Sequence, residues 1–406
     1  MSKAKLLLCH NYYQEAGGES VVFDNERRGL EERGHAVVTY TRDNAEITSL
    51  GPLGKAALVP AAYYSSRTRR ELTRLVERER PAAAIVQNVF PLISPSAYTT
   101  LHGLGVPVVQ AVYNYRLICP AGQLYSRGEI CERCVGGNYL HCVARRCYRD
   151  SAAQSAWYAS ILGLHRALSS FAQCIDVFMV PDEFLGRKLV EGGIPAGKIR
   201  RNVNPLFVRQ HRPAADHDGS VLFAGRLVPQ KGVRTLLQAM ALVRGPGRLR
   251  IVGQGEMEAE VRAALARPEL AGRVDLVGPR WGEEMEGLMA KAAAVVVPSE
   301  WYDNLPQVVG QAGALGKPVL ATRIDGLAEA VVDGTSGFLF PFRDATALAG
   351  LIDRVLALAP ADYAALSRSS RAHAERTFDF DVHYRVLGGI LEGLGGGTPP
   401  AVPEAP

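Results

Sequence analysis

Runs of about four to eight apolar residues punctuate this chain, and the stretches between them turn apolar at every third or fourth position. In the first half the runs are Lys5–Cys9, Ala36–Tyr40, Ala83–Gln87 and Val106–Val112. In the second half they are Ser220–Ala224, Leu249–Val252, Val274–Val277, Ala293–Val297 and Pro318–Thr322. Val, Ile, Leu and Ala fill them without strict alternation, which is how strands of a parallel sheet covered on both faces read. Gly232–Val243 has helical spacing, with Val233, Leu236, Leu237 and Met240 on one face. Gln307–Gly316 predicts another helix, with Pro306 in its first turn, Val308, Ala312 and Leu315 as its apolar face, and Gly316 just past its end. Strand–helix alternation predicts an α/β fold of doubly wound, Rossmann-like units.

The series occurs twice, with a break from Pro181 to about Ser220. A chain of 406 residues also exceeds one ordinary hydrophobic core. The expected layout is a first domain over 1–204, a second over 205–378, a helical stretch over 379–394 and a disordered Gly/Pro-rich tail over 395–406. Two such domains facing each other leave a cleft at the carboxyl ends of their strands, where open α/β sheets bind ligands. The opening MSKAKLLLCHNYY places two lysines before a short apolar run. The run stops after Cys9 with no small-residue cleavage site, so it predicts a first strand rather than a signal peptide. No run reaches the roughly 18 apolar residues of a membrane-spanning helix. The expectation is a soluble, cytoplasmic protein that meets any lipid-linked substrate at the inner membrane face. Arg67, Arg69, Arg70 and Arg74 supply either that peripheral contact or an ordinary solvated helix face.

A hydrophobic fraction of 47% and a charged fraction of 21% exclude a long disordered chain. The net charge of +5 admits an anionic ligand but is too small to indicate a nucleic-acid partner. In Val221–Gly232 an apolar strand ends at Gly225, and Arg226 and Lys231 flank a turn before the next helix. Two cations beside a helix N-terminus suit a diphosphate, since Arg binds oxygens bidentately and Lys adds a point charge. The plainer alternative is two solvated cations. In Pro298–Pro306, Asp303 precedes a helix that carries Gln311 eight positions on. The two could reach opposite ends of one elongated ligand, Asp303 toward sugar hydroxyls and Gln311 toward a ribose. Alternatively Asp303 or Asn304 is simply a helix cap. Gly17 and Gly18 follow the first strand, where a glycine pair lets backbone approach a ligand or merely makes a turn.

Of seven cysteines, Cys131, Cys134, Cys142 and Cys147 crowd together, with Cys119 just upstream. Without a secretory signal, metal binding gains on disulfides as an explanation. Cys119, Cys131, Cys134 and Cys147 are the candidate ligands of a structural zinc, with Cys142 as a substitute. Disulfides and reduced packing thiols remain as alternatives. Cys9 and Cys174 read as small buried hydrophobes.

Taken together, HNYYQEAGGES, ISPSAYTTLHGLGVPVV, NYRLICPAG, GRLVPQKG, IVGQGE, PSEWYDNLPQVVGQAGALGKPVLAT and DGTSGFLF give a clear resemblance. From about Lys5 to Leu394 the chain resembles the retaining glycosyltransferases of family 4, which have the GT-B architecture. The resemblance implies an N-terminal acceptor domain, a C-terminal donor domain, and a final helix that crosses back to brace the former. It implies a nucleotide-diphosphate sugar, UDP- or GDP-linked, as donor and a hydroxyl compound as acceptor. Arg226 and Lys231 match the family's diphosphate cations, with Gly225 and Gly253 in the flanking motifs. Asp303 to Gln311, including Asn304, Leu305 and Pro306, matches the paired-glutamate motif. Gly17 and Gly18 match a loop near the phosphates and acceptor. Close members often build bacterial surface polysaccharides.

Three positions depart from the family pattern. Asp303 stands where the first glutamate is usual, Gln311 where the second is, and Tyr113 where many members have a histidine. Tyr113 replaces an ordinary imidazole pKa by one near 10. In the reaction the resemblance implies, the sugar passes to the acceptor hydroxyl with retention and the leaving diphosphate helps take the proton. Arg226 and Lys231 stabilise the leaving charge. That scheme requires no catalytic metal. A catalytically weak nucleotide-sugar-binding partner, or a nucleotide-sugar epimerase of the same fold, are the other readings of these departures.

Overall fold

The computed structural model describes residues 3–14 and 17–395; the expected tail beyond Gly395, with Glu15 and Ala16, lies outside them. The chain forms two compact units. The first comprises the described residues up to Leu124, Cys131–Pro205 and the chain from Phe380 onward; the second comprises Tyr125–Ile130 and Leu206–Asp379.

The first unit is built on strands β1 (Lys5–Tyr12), β2 (Ala36–Asp43), β3 (Ala83–Val86) and β4 (Val108–Ala111). A short antiparallel hairpin, β5 (Tyr125–Ser126) and β6 (Glu129–Ile130), follows and belongs to the second unit. The first sheet is completed by β7 (Val177–Val180) and β8 (Ile199–Arg201). Its order is β2-β1-β3-β4-β7-β8, and every ladder in it is parallel. The strands β3, β4 and β7 are buried throughout, as an uninterrupted apolar run demands. β2 differs from that expectation: it lies at the sheet edge, and only Tyr40 along it is buried. The helix Phe380–Gly395 packs in this unit, where the Phe380 ring lies so close to Gly29 of the helix Gly18–Glu32 that a Cβ there would sit 2.0 Å from it.

The second unit carries β9 (Ser220–Ala224), β10 (Arg248–Val252), β11 (Val274–Gly278), β12 (Ala294–Val297), β13 (Val319–Thr322) and β14 (Gly337–Phe340). All its ladders are parallel, in the order β11-β10-β9-β12-β13-β14. That order reverses between β9 and β12, the topological switch point of a Rossmann-like sheet. In the first unit the reversal falls between β1 and β3. The predicted doubly wound α/β class is therefore present in both units. Apolar runs did not single out β7, β8 and β14, which are short or adjoin charged residues. The expected helix after Pro306 spans Gln307–Ala314 and turns Val309 rather than Val308 inward, beside Ala312. Gly316 follows it at φ +71, the left-handed position that favours glycine. No helix among the described residues is long and apolar enough to cross a membrane.

Candidate active site

The loops after β9, β10 and β12 meet at the switch point of the second unit through contacts that only glycine permits. Beyond β9, the Gly225 and Leu227 amides donate to the carbonyls of Val252 and Gln254, at 3.0 and 2.9 Å. Those bonds draw the two loops together. A Cβ at Gly253 would lie 1.9 Å from the Gly225 carbonyl oxygen, and one at Gly255 would lie 2.4 Å from that of Leu227. Gly232, at φ +69, would put a Cβ 1.8 Å from the Pro298 carbonyl oxygen. The segments GRLVPQKG, IVGQGE and PSE thus interlock at backbone level. The turn itself is a short 3-10 stretch, Pro229–Lys231, leading into the helix Val233–Leu242.

This frame places the predicted cations differently from each other. Arg226 is exposed, and its guanidinium has no hydrogen bond or ion pair among the described residues. Lys231 is largely buried and donates through Nζ to Asp303 Oδ2 at 2.6 Å. The Ser299 hydroxyl donates to the same oxygen, also at 2.6 Å. Lys231 Nζ also lies 5.5 Å from the centre of the Trp301 ring, within reach of a cation–π attraction. Asp303 is therefore no helix cap; Pro306 holds that position, and neither Asp303 nor Asn304 does. Leu305, buried between Asn304 and Pro306, adopts φ +33, a left-handed conformation costly for a branched side chain. Gln311 is half-buried one turn into the helix.

Two participants escaped sequence reasoning. Glu300 accepts from the Thr235 hydroxyl at 2.7 Å and from Arg343 Nε at 2.6 Å, so it ties the helix after the cation loop to the loop after β14. Arg343 also donates to Glu129 of the β5–β6 hairpin, at 3.1 Å. Glu300 stood inside a quoted motif, but its partners are remote in sequence. Asp379-Phe380-Asp381, an Asp-x-Asp triplet, is also present. Asp379 accepts from the Arg209 amide and Asp381 pairs with Arg33, so both carboxylates are engaged.

In the first unit the predicted residues are spread around its own switch point. Gly17 caps the helix Gly18–Glu32 in extended conformation, and a Cβ there would touch nothing within 4 Å. Neither turn strain nor close packing within the described residues requires glycine at that position. Gly18 begins the helix, exposed. Tyr113 packs against the core, and burial, then the neighbouring Glu26 and Glu19, pushes its phenol well above the ordinary value. It cannot replace a histidine as an acid or base near neutral pH. His10, which the pattern did not mark, is fully buried at the end of β1 and stacks on Phe23 at 4.9 Å. Burial lowers its pKa to about 4, so the ring is neutral.

The zinc expectation is not met in the form proposed. All seven cysteines are free, and the described residues contain no group of three or more Cys, His, Asp or Glu placed to hold a metal ion. Cys119, Cys131, Cys134 and Cys147 lie near one another, yet Cys119 and Cys134 are buried and burial raises their thiols. Cys9 and Cys174 are buried, as small hydrophobes would be.

Two family models match successive parts of the chain. Residues 17–205 match the glycosyl transferase 4-like domain and residues 218–357 the glycosyl transferases group 1. The chain belongs to this glycosyltransferase family. Among similar proteins is the amylovoran biosynthesis glycosyltransferase AmsK of Erwinia amylovora, 31% identical over 219 residues, 51% of this chain and 54% of that protein. The D-inositol 3-phosphate glycosyltransferase of Saccharomonospora viridis is 34% identical over 166 residues, 38% of each chain. The chain spans about half or less of the length of these curated relatives. Among solved structures, sucrose-phosphate synthase from Thermosynechococcus elongatus superposes with a TM-score of 0.70 at 19% identity, covering 98% of this chain and 100% of that one. HepE from Anabaena, solved in complex with UDP, gives 0.65 at 15% identity, covering 95% and 98%. These neighbours share the GT-B fold with this chain.

Proposed function

We propose that this chain is a retaining glycosyltransferase that moves a sugar from a nucleotide-diphosphate sugar to an acceptor hydroxyl. One observation carries it: an unengaged arginine, Arg226, and a lysine, Lys231, stand together at the switch point of a Rossmann-like sheet, beside a helix N-terminus. In this reading Arg226 takes diphosphate oxygens, and Lys231 shares its charge between Asp303 and the leaving group. Gly225 and Gly253 keep the backbone close, and Asn304, Leu305 and Pro306 shape the sugar side. Gln311 meets the ribose without a charge. The leaving diphosphate takes the acceptor proton, a step for which the buried Tyr113 phenol is unsuited. That a UDP complex exists for a protein of the same fold favours UDP as the first nucleotide to try. Calorimetric titration with UDP and GDP, followed by transfer assays with their glucose conjugates, tests the reading. No binding of either nucleotide sinks it, and binding without turnover across a broad acceptor panel favours a nucleotide-sugar-binding partner protein.

A peripheral membrane role rests on a separate observation in the first unit. The helix Pro52–Ala61 buries none of its residues, and Leu53 is 88% exposed and Val59 48%. The exposed Arg67, Arg69, Arg70 and Arg74 follow on the helix Ser66–Glu79. Exposed apolar residues near a basic helix face suit an anionic lipid surface. Sedimentation with phosphatidylglycerol vesicles, lost in a Leu53→Asp variant, checks this.

A further inference from the structure

The first unit holds a recess, partly open to solvent, at the carboxyl ends of β3 and β4. Glu19, Gln87, Asn88, Gln110, Asn114 and Arg116 supply its polar wall. Most of those groups already satisfy one another. Asn88 donates to the Asn11 carbonyl at 2.6 Å and accepts from the Phe90 amide at 3.0 Å. Gln110 donates to the Gln87 carbonyl and accepts from the Tyr98 hydroxyl. Glu19 accepts from Asn114 Nδ2 at 2.9 Å, and Asn114 Oδ1 in turn accepts from the Arg116 amide.

Arg116 is the exception. Its Nε and Nη1 are inaccessible to solvent and have no hydrogen-bond partner among the described residues. The guanidinium lies 5.6 Å from the Phe90 ring centre and 5.3 Å from that of Tyr158, contacts that hold it in place without using its N–H groups. Gln87 Oε1 is a second buried atom without a partner, an acceptor on the same wall. Glu19 lies close enough for its charge to act on this guanidinium, but two buried N–H groups left unmatched are costly, and the planar guanidinium fork matches the oxygens of a carboxylate or phosphate. A spare acceptor lining the same recess suits a hydroxyl. Glu19 follows β1 and Gln87 and Asn88 follow β3, so this wall borders the strand-order reversal of its sheet, where such folds bind ligands.

We propose that this recess binds a hydroxyl acceptor that carries an anionic group, a carboxylate or a phosphate, seated on Arg116. Calling the ligand an acceptor rests on the transferase reading; the anion site does not. Calorimetry on the intact protein compares methyl β-D-glucuronide, glycerol 1-phosphate and the neutral methyl β-D-glucoside, with UDP titrated in parallel. At least one charged probe should bind about tenfold or more tightly than the glucoside, the scale of one charged hydrogen bond. Whichever charged probe binds more tightly distinguishes carboxylate from phosphate. Arg116→Gln should abolish the preference. Equal binding of charged and neutral probes by the wild type overturns the proposal, as does a preference that survives Arg116→Gln. If that variant does not fold, Arg116→Lys decides the residue: a single ammonium should narrow the preference, and an unchanged preference overturns the assignment. Loss of UDP binding with the anion preference intact removes the transferase reading and leaves the site.

Discussion

Lys231 and Asp303 form one small electrostatic unit, so replacing either disturbs more than a ligand contact. Asp303 is 6% exposed, and without Lys231 its remaining side-chain partner among the described residues is Ser299. Lys231→Ala should therefore cost about 3–5 kcal/mol of stability as well as UDP affinity, because it strands a buried carboxylate; urea denaturation read beside calorimetry shows both. Arg226→Ala is the cleaner probe. It should weaken UDP binding by about 1.5–3 kcal/mol and leave the melting temperature unmoved, since Arg226 is exposed and unengaged. Lys317 offers a pH test at the same scale. It is fully buried, donates to the Asp216 carbonyl at 2.7 Å, and burial lowers its pKa from 10.5 to about 8 despite nearby Asp216 and Asp218. Between pH 8 and 10.5 the unfolded chain holds a proton on this group that the folded chain has lost, so folding gains stability as pH rises through that window. Urea denaturation at stepped pH should show the wild type gaining on Lys317→Met across it; parallel curves for the two proteins contradict the assignment.

At the scale of elements, a buried chain of polar contacts fastens the C-terminal helix to the first unit. His383 Nε2 meets Glu26 Oε1 at 3.2 Å with both side chains fully buried, and Gln87 donates to the other carboxylate oxygen at 2.8 Å. His383 Nδ1 reaches the Val203 carbonyl at 2.9 Å. His383→Ala leaves the Glu26 carboxylate half-satisfied in the interior and should destabilise the protein by about 3 kcal/mol, read as a lowered denaturation midpoint. Of this helix the sequence showed a helical stretch but not its lock, because Glu26 and His383 lie at opposite ends of the chain. The Asp303 loop is a similar case. A local rule offered Asp303 or Asn304 as a cap, whereas the helix begins only at Gln307 and Asp303, upstream of it, meets Lys231, brought in by the β9–β12 pairing.

For the whole molecule, the nucleotide reading puts UDP on the switch-point loops of the second unit. Saturating UDP should slow amide exchange around 225–232, 253–257 and 298–311 and leave 110–119 unchanged, while stabilising the fold by about 2.7 kcal/mol at a hundredfold excess over Kd. Exchange mass spectrometry reads this directly. Protection confined to the first unit would place the nucleotide elsewhere.

Some of this was readable from the chain alone because it depends on neighbours in sequence. Apolar runs free of alternation required strands buried on both faces, and helical spacing between them required a doubly wound order, twice. The glycines near the cations likewise marked tight turns. What tertiary structure decided depends on which strand ends become adjacent. Crossovers bring the loops after β9, β10 and β12 together, and only there do Gly232 and Gly253 become sterically obligatory, Asp303 find Lys231, and Arg226 remain open. The same adjacency in the first unit sets Arg116 near the Phe90 and Tyr158 rings with two buried N–H groups lacking an acceptor among the described residues, and packs Cys119 and Cys134 in the interior. Spacing along the chain fixes what a residue is next to in a strand or helix; charge pairing and burial across elements fix what it is able to do.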